Sequence, residues 1–167
     1  MSDEIKVPHP PLRRTDRAMS NSDAWRFLEE ATVGRLATVG PDGWPYITPL
    51  SYAMLDDVIV LHHVQDTGHL NRNLQHDNRI CFEVDEEGAV ISTGPTAANA
   101  TVLYRSVIVY GTAKLLTEVD ERRCALDALV QKYVKNLTGI TLPEGIETGV
   151  AIYSIIPEHI TGKERKP

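Results

Sequence analysis

No apolar run in this 167-residue chain approaches the ~20 residues a membrane-spanning helix needs. A membrane is therefore not an expected partner. Met1 to Arg17 contains no apolar core of the kind a secretory signal carries, which points to a cytoplasmic protein. Cysteine is scarce. Cys81 and Cys124 lie far apart and form neither a CxxC pair nor a Cys/His ligand pattern, so both read as reduced thiols. Positive charge is in deficit, with 17 Lys+Arg against 23 Asp+Glu and a net charge of −6. That balance argues against a broad nucleic-acid surface. A Rossmann GxGxxG is absent, and so are internal repeats. No His-Asn/Asp arrangement is assignable to Cys81, which reads as a buried strand residue rather than a nucleophile.

What is present suits a globular domain. Apolar residues make up 42% and charged residues 24% of the chain. Residues 1–19 are rich in proline and arginine and read as an arm without regular structure of its own, either a frayed tail or a wrap around a partner subunit. Residues 20–164 read as one domain. Ser20 with Asp23 forms a helix cap signal, and Ala24, Phe27, Leu28 and Ala31 repeat as one apolar stripe, predicting a helix over 21–31. Val33 to Val39 reads as a strand, Gly40-Pro41-Asp42-Gly43 as a turn, and Trp44 to Met54 as a returning strand. Pro45 and Pro49 cannot donate to a ladder, so this strand belongs at an edge or is irregular, and backbone near Pro49 is left to face a ligand.

Val58 to His63 follows as a strand, then a short helix near 70–76 and a strand at 79–85. Glu86 to Asn99 reads as loop. A long strand spans about 101–116, where Val107, Ile108, Val109 and Tyr110 imply that both faces are covered. Thr117 to Asp120 reads as the cap of a second main helix, whose apolar repeat runs from Leu126 to Leu137. The last strand is expected over 150–156, stopping at Pro157. Turn-linked strands of this kind favour antiparallel pairing, in a mainly β fold with flanking helices.

The segment His62 to Asn73 carries most of the chemistry. Three histidines (His62, His63, His69), Thr67, Gly68 and Asn73 sit between a strand and a helix start, where free backbone N–H groups suit an anion. Thr67-Gly68 could equally cap the helix. The same imidazoles could hold a metal, but HHx5H is not a recognised ligand spacing and no carboxylates are grouped with it, so no metal site is assigned. Arg105, in an otherwise apolar strand, is either a ligand contact or half of an interface ion pair. Trp44 and Tyr104 read as core or interface aromatics.

Val33-Gly34-Arg35-Leu36-Ala37-Thr38 and Asp42-Gly43-Trp44-Pro45-Tyr46-Ile47-Thr48-Pro49-Leu50-Ser51-Tyr52 resemble the opening hairpin of the pyridoxamine 5'-phosphate oxidase-like, FMN-binding split-barrel proteins. The chain is most similar to the branch containing the 5-nitroimidazole reductases. The likeness continues through Gly68-His69-Leu70, Arg79 to Asp85, Tyr104 to Gly111 and Ile160-Thr161-Gly162-Lys163. It implies a six-stranded antiparallel Greek-key split β-barrel and a homodimer with FMN at its interface. Thr48, Pro49, Leu50 and Ser51 would face the flavin ring. His62, His63, Thr67, Gly68, His69 and Asn73 would hold its phosphate, with Arg105 as a further cation. Many relatives carry a lysine where this chain has Leu70, so one fixed charge is absent. The implied activity passes electrons from a reduced nicotinamide through FMN to a small acceptor such as a nitro compound. The alternative is a split barrel that binds FMN, haem or a deazaflavin without turnover.

Overall fold

A computed structural model describes residues 9, 11–64, 68–134, 136 and 141–166. Its elements in chain order are α1 (Asn21–Glu30), β1 (Gly34–Val39), β2 (Pro45–Leu50), β3 (Tyr52–Leu55), β4 (Val58–Val64), α2 (His69–His76), β5 (Arg79–Ser92), β6 (Ala100–Leu115), α3 (Val119–Tyr133) and β7 (Val150–Arg165). The strands form one antiparallel sheet in the order β2-β1-β5-β6-β7-β4-β3. Its two end strands are consecutive in sequence and meet at Ser51. The expected strand over 44–54 is thus broken in two, because β2 pairs with β1 and β3 pairs with β4. Counted as one strand bent at Ser51, β2 and β3 restore the six strands of a split barrel.

The hairpin between β1 and β2 forms as its residues dictate. Gly43 adopts φ 78°, the Gly43 N–H donates to the Gly40 carbonyl at 2.9 Å, and Asp42 accepts from the Trp44 N–H at 3.1 Å. Trp44 itself is 75% exposed and belongs to no core. Ser20 caps α1, accepting from the Asp23 N–H at 3.1 Å, and Ala24, Phe27 and Leu28 are buried. The cap expected at Thr117 is not made. Glu118 precedes α3, and no side chain bonds the first turn.

Two strands run longer than their patterns indicate. β5 continues through Glu86 to Ser92, where alternation is lost but pairing with β6 persists past an irregularity between Glu87 and Val90. β7 continues through Pro157, because the ladder to β6 skips a residue there: Gly111 faces Pro157 while Tyr110 faces His159. A bulge is one of the few places a strand accepts proline. The arm is also less irregular than expected. Thr15–Arg17 forms a 3-10 turn, Met19 donates to the Gly162 carbonyl at 3.0 Å, and His9 stacks on Tyr110 at 4.3 Å.

The barrel interior is filled from alternate positions, with Leu36, Phe82, Val84, Val107, Val109 and Ile155 fully buried. A second cluster, built on Val60, Leu126, Leu129 and Ile152, seats α3 against the outside. Lys132 of α3 lies between these layers. Its Nζ stands 3.9 Å from the centre of the Tyr52 ring and has no hydrogen-bond partner among the described residues. Burial pushes its ammonium down to about 8, with Glu29 opposing weakly. Between that value and the usual 10.5 the unfolded chain binds more protons, so stability rises with pH across this window. Tyr52 works the other way above about pH 10, because burial raises its hydroxyl. Lys132→Met should therefore be more stable at pH 7 by about 1–2 kcal/mol, after the lost cation–π contact is set against the relieved burial. Urea unfolding at pH 7 and about 9.5 should show this advantage shrinking as pH rises; a constant difference would contradict it.

Candidate functional site

Successive residues of β4 point to opposite sides, which separates His62 from His63. His63 follows Ile59 and Leu61 towards the barrel side. There its Nε2 lies 2.7 Å from Asn71 Oδ1, and Tyr153 donates its hydroxyl to the same oxygen at 2.7 Å. One amide oxygen thus joins β4, β7 and α2, and holds His63 with its proton on Nε2. His62 follows Val60 towards α3. The side chain remains exposed, yet desolvation there lowers its pKa, with His63 adding to the effect.

α2 begins at His69 with Gly68 as its N-cap, and no side chain caps the first turn. Asn73 is turned inward. It is 2% exposed and donates to Thr38 Oγ1 at 3.0 Å, pinning α2 to β1. Its amide nitrogen, expected from the sequence to serve a ligand, is thus engaged inside the fold. Leu70, in the place of the common lysine, is also buried. The nearest guanidinium on this helix is that of Arg72, whose Nη2 donates to His69 Nδ1 at 2.9 Å. His69 then carries its own proton on Nε2. Tyr46 of β2 stacks on the His69 ring at 4.9 Å. From this stack β2 leads straight to Thr48, Pro49, Leu50 and Ser51. Pro49 is exposed, Leu50 packs on the core, and Thr48 Oγ1 is buried with no partner among the described residues.

Arg105 is not brought to this cluster. It pairs with Glu86 at 2.6 Å and Glu30 at 2.9 Å, and lies over the Phe27 ring at 4.2 Å, which ties β6 to α1 and β5. Thr67 lies outside the described residues. Arg72, Tyr46, Asn71 and Tyr153 were missed by sequence reasoning. Arg72 could have been found as a cation one turn into α2, at i+3 from His69. Among the described residues no group of three or more His, Cys, Asp or Glu side chains is arranged to hold a metal ion.

Two cavities border these residues. One, of about 300 Å³, lies under α3 and reaches Ser51 and His62. The other, of about 570 Å³, is more polar and reaches Asn71, Gln75 and Arg122. The Arg122 guanidinium donates to the Leu116 and Val150 carbonyls, each at 2.7 Å.

A barrel whose end strands are one bent run, with α2 set beside its second strand, has the split-barrel fold. The family model described as pyridoxamine 5'-phosphate oxidase matches residues 20–164, and the chain belongs to that family. A 5a,11a-dehydrotetracycline/5a,11a-dehydrooxytetracycline reductase of Streptomyces rimosus subsp. rimosus is 28% identical over 138 residues, 79% of this chain and 90% of the relative. Among solved structures, a putative 5-nitroimidazole antibiotic resistance protein from Bacteroides thetaiotaomicron superposes with TM-score 0.76 at 18% identity, covering 88% of this chain and 86% of that one. An FAD and haem binding protein from Mycobacterium smegmatis superposes with TM-score 0.75 at 19% identity, covering 89% and 72%. Among the described residues no helix is long and apolar enough to cross a membrane.

Proposed function

We propose that the chain is an FMN-binding oxidoreductase that works as a homodimer. The observation that carries this reading is the juxtaposition of His69 and Arg72, in the first turn of α2, with β2 through the Tyr46 stack. A helix start with an adjacent guanidinium and imidazole N–H suits a phosphate ester. That chemistry suits the terminal phosphate monoester of FMN. The exposed backbone around Pro49, further along the same strand, would meet the planar ring. His63 is held by Asn71 at the edge of this groove. Bound FMN supplies the redox chemistry, hydride in from a reduced nicotinamide and out to a small electron-poor acceptor. The chain's own residues bind and orient; no acid or base among them is required. The reductase relative and the flavin-binding neighbour support this chemistry by their names.

The second copy would seat on the outer face of β2-β1-β5-β6. Ile47 is 59% and Val39 40% exposed there, beside half-buried Cys81, Ile108 and Tyr110. Around Ile47 and Val39 this face is apolar and exposed, while His9 covers Tyr110 and the Arg35–Glu83–Asp85 ion pairs lie alongside. FMN-loaded protein should sediment as a dimer at micromolar concentration, and NADH or NADPH should bleach its flavin absorbance without oxygen. The haem-binding neighbour favours a second reading, a carrier without turnover. A dimer that holds FMN but is bleached by neither donor would establish that reading instead.

A further inference from the structure

The cavity under α3 has a composition that selects its occupant. Leu126, Leu129 and Val130 lie on adjacent turns of α3, and Val134 follows at its end. Ser51 and His62 bring the polar atoms from the barrel side. Tyr133 also reaches the cavity, but its hydroxyl is already used. It accepts from the Tyr52 N–H at 3.0 Å and donates to the Thr32 carbonyl at 2.5 Å. No Lys, Arg, Asp or Glu is among its described lining residues. Lys132, next along the helix, has its ammonium over the Tyr52 ring instead. Arg122 lines the other cavity and is bonded to two carbonyls. Among the described residues, an anion entering under α3 would lose water and meet no counter-charge. Desolvation, with His63 adding to it, also lowers the His62 pKa.

We propose that this cavity takes the apolar body of the electron acceptor, and that it makes the acceptor an uncharged small molecule, selected against anions by the aliphatic face of α3. The inference rests on the reading that Thr48 to Ser51 faces the flavin ring. Ser51 belongs to both, so the cavity opens where that segment ends. His62 and Ser51 offer one hydrogen-bonding end, and the aliphatic wall takes the rest. At about 300 Å³ the space is at the small end for ligand pockets.

The test uses two nitroaromatic probes of nearly equal size, para-nitrobenzyl alcohol and para-nitrobenzoate, in equilibrium dialysis against FMN-saturated protein. The alcohol should bind at least about tenfold more tightly than the benzoate. Val130→Phe, which fills the cavity, should weaken alcohol binding by at least about fivefold. Val134→Lys, which adds a cation, should reverse the preference, a gain that misfolding cannot imitate. Equal or tighter binding of benzoate to the unmodified protein would overturn the proposal, as would alcohol binding that ignores Val130→Phe. FMN uptake is read from absorbance in the same samples. Failed selectivity with FMN bound overturns the cavity assignment alone, and failure to take up FMN overturns the proposed function.

Discussion

Asn71→Leu should lower both stability and FMN affinity. Asn71 is buried at 8% exposure, and its Oδ1 receives His63 Nε2 and the Tyr153 hydroxyl, each at 2.7 Å. Leucine fills a similar space but leaves both donors without an acceptor. Each stranded buried donor costs about 1–3 kcal/mol, so a loss of about 2–4 kcal/mol is expected, a fall of roughly 6–12 °C in Tm for a chain of this size. The affinity effect has a separate origin. Asn71 fixes His63 and the first turn of α2 against β4 and β7, so its loss frees the groove that would hold the phosphate. FMN affinity should fall by at least about tenfold at a temperature where the variant remains folded. Calorimetry and flavin fluorescence titration read the two effects. Lowered stability with unchanged affinity would leave Asn71 a purely structural residue and detach His63 from the site.

Gly111→Ala should be nearly as damaging, for a reason confined to the barrel. A Cβ at Gly111 would stand 2.2 Å from the Ile156 carbonyl oxygen, which is backbone and cannot swing aside. The position lies at the bulge that lets β7 pass Pro157, so relief requires β6 and β7 to part. A loss of about 2–4 kcal/mol is expected in urea unfolding. Gly149 provides the contrast. Its Cβ would meet only the Ile146 carbonyl oxygen, at 3.7 Å, and its φ of −91° is open to any residue. Gly149→Ala should stay within about 0.5 kcal/mol of the parent. Equal effects at the two positions would contradict the bulge as the cause.

These two sites also show what the sequence could and could not disclose. Periodicity located β1, β4, α1 and most of α3, because each buries one face, and burial is what an apolar repeat records. It failed where pairing, not burial, sustains a strand. Glu86 to Ser92 has no alternation yet is held by β6, and Pro157 reads as a stop until the bulge gives its missing N–H a place. The break at Ser51 is invisible locally, since it exists only because β2 and β3 find partners at opposite ends of the sheet.

The candidate site divides in the same way. The His62–Asn73 segment stood out by composition, the run from Thr48 to Ser51 by family resemblance, and β2 does run from the Tyr46–His69 stack into the latter. Composition could not say which way a side chain turns. Asn73 looked like a ligand contact but serves Thr38, and Arg105 looked like a phosphate partner but is held by Glu30 and Glu86. Leu70 looked like a missing charge, and the guanidinium of Arg72, at i+3 from His69, lies against the His69 ring.

His69, Arg72 and the start of α2 are proposed to hold a flavin phosphate while Thr48 to Ser51 meets the ring. Absorbance of the protein after incubation with FMN and gel filtration tests this most directly. Bands at about 370 and 450 nm are expected, at roughly one flavin per chain, largely lost in Arg72→Ala. A colourless protein, or flavin retained undiminished by Arg72→Ala, would contradict it.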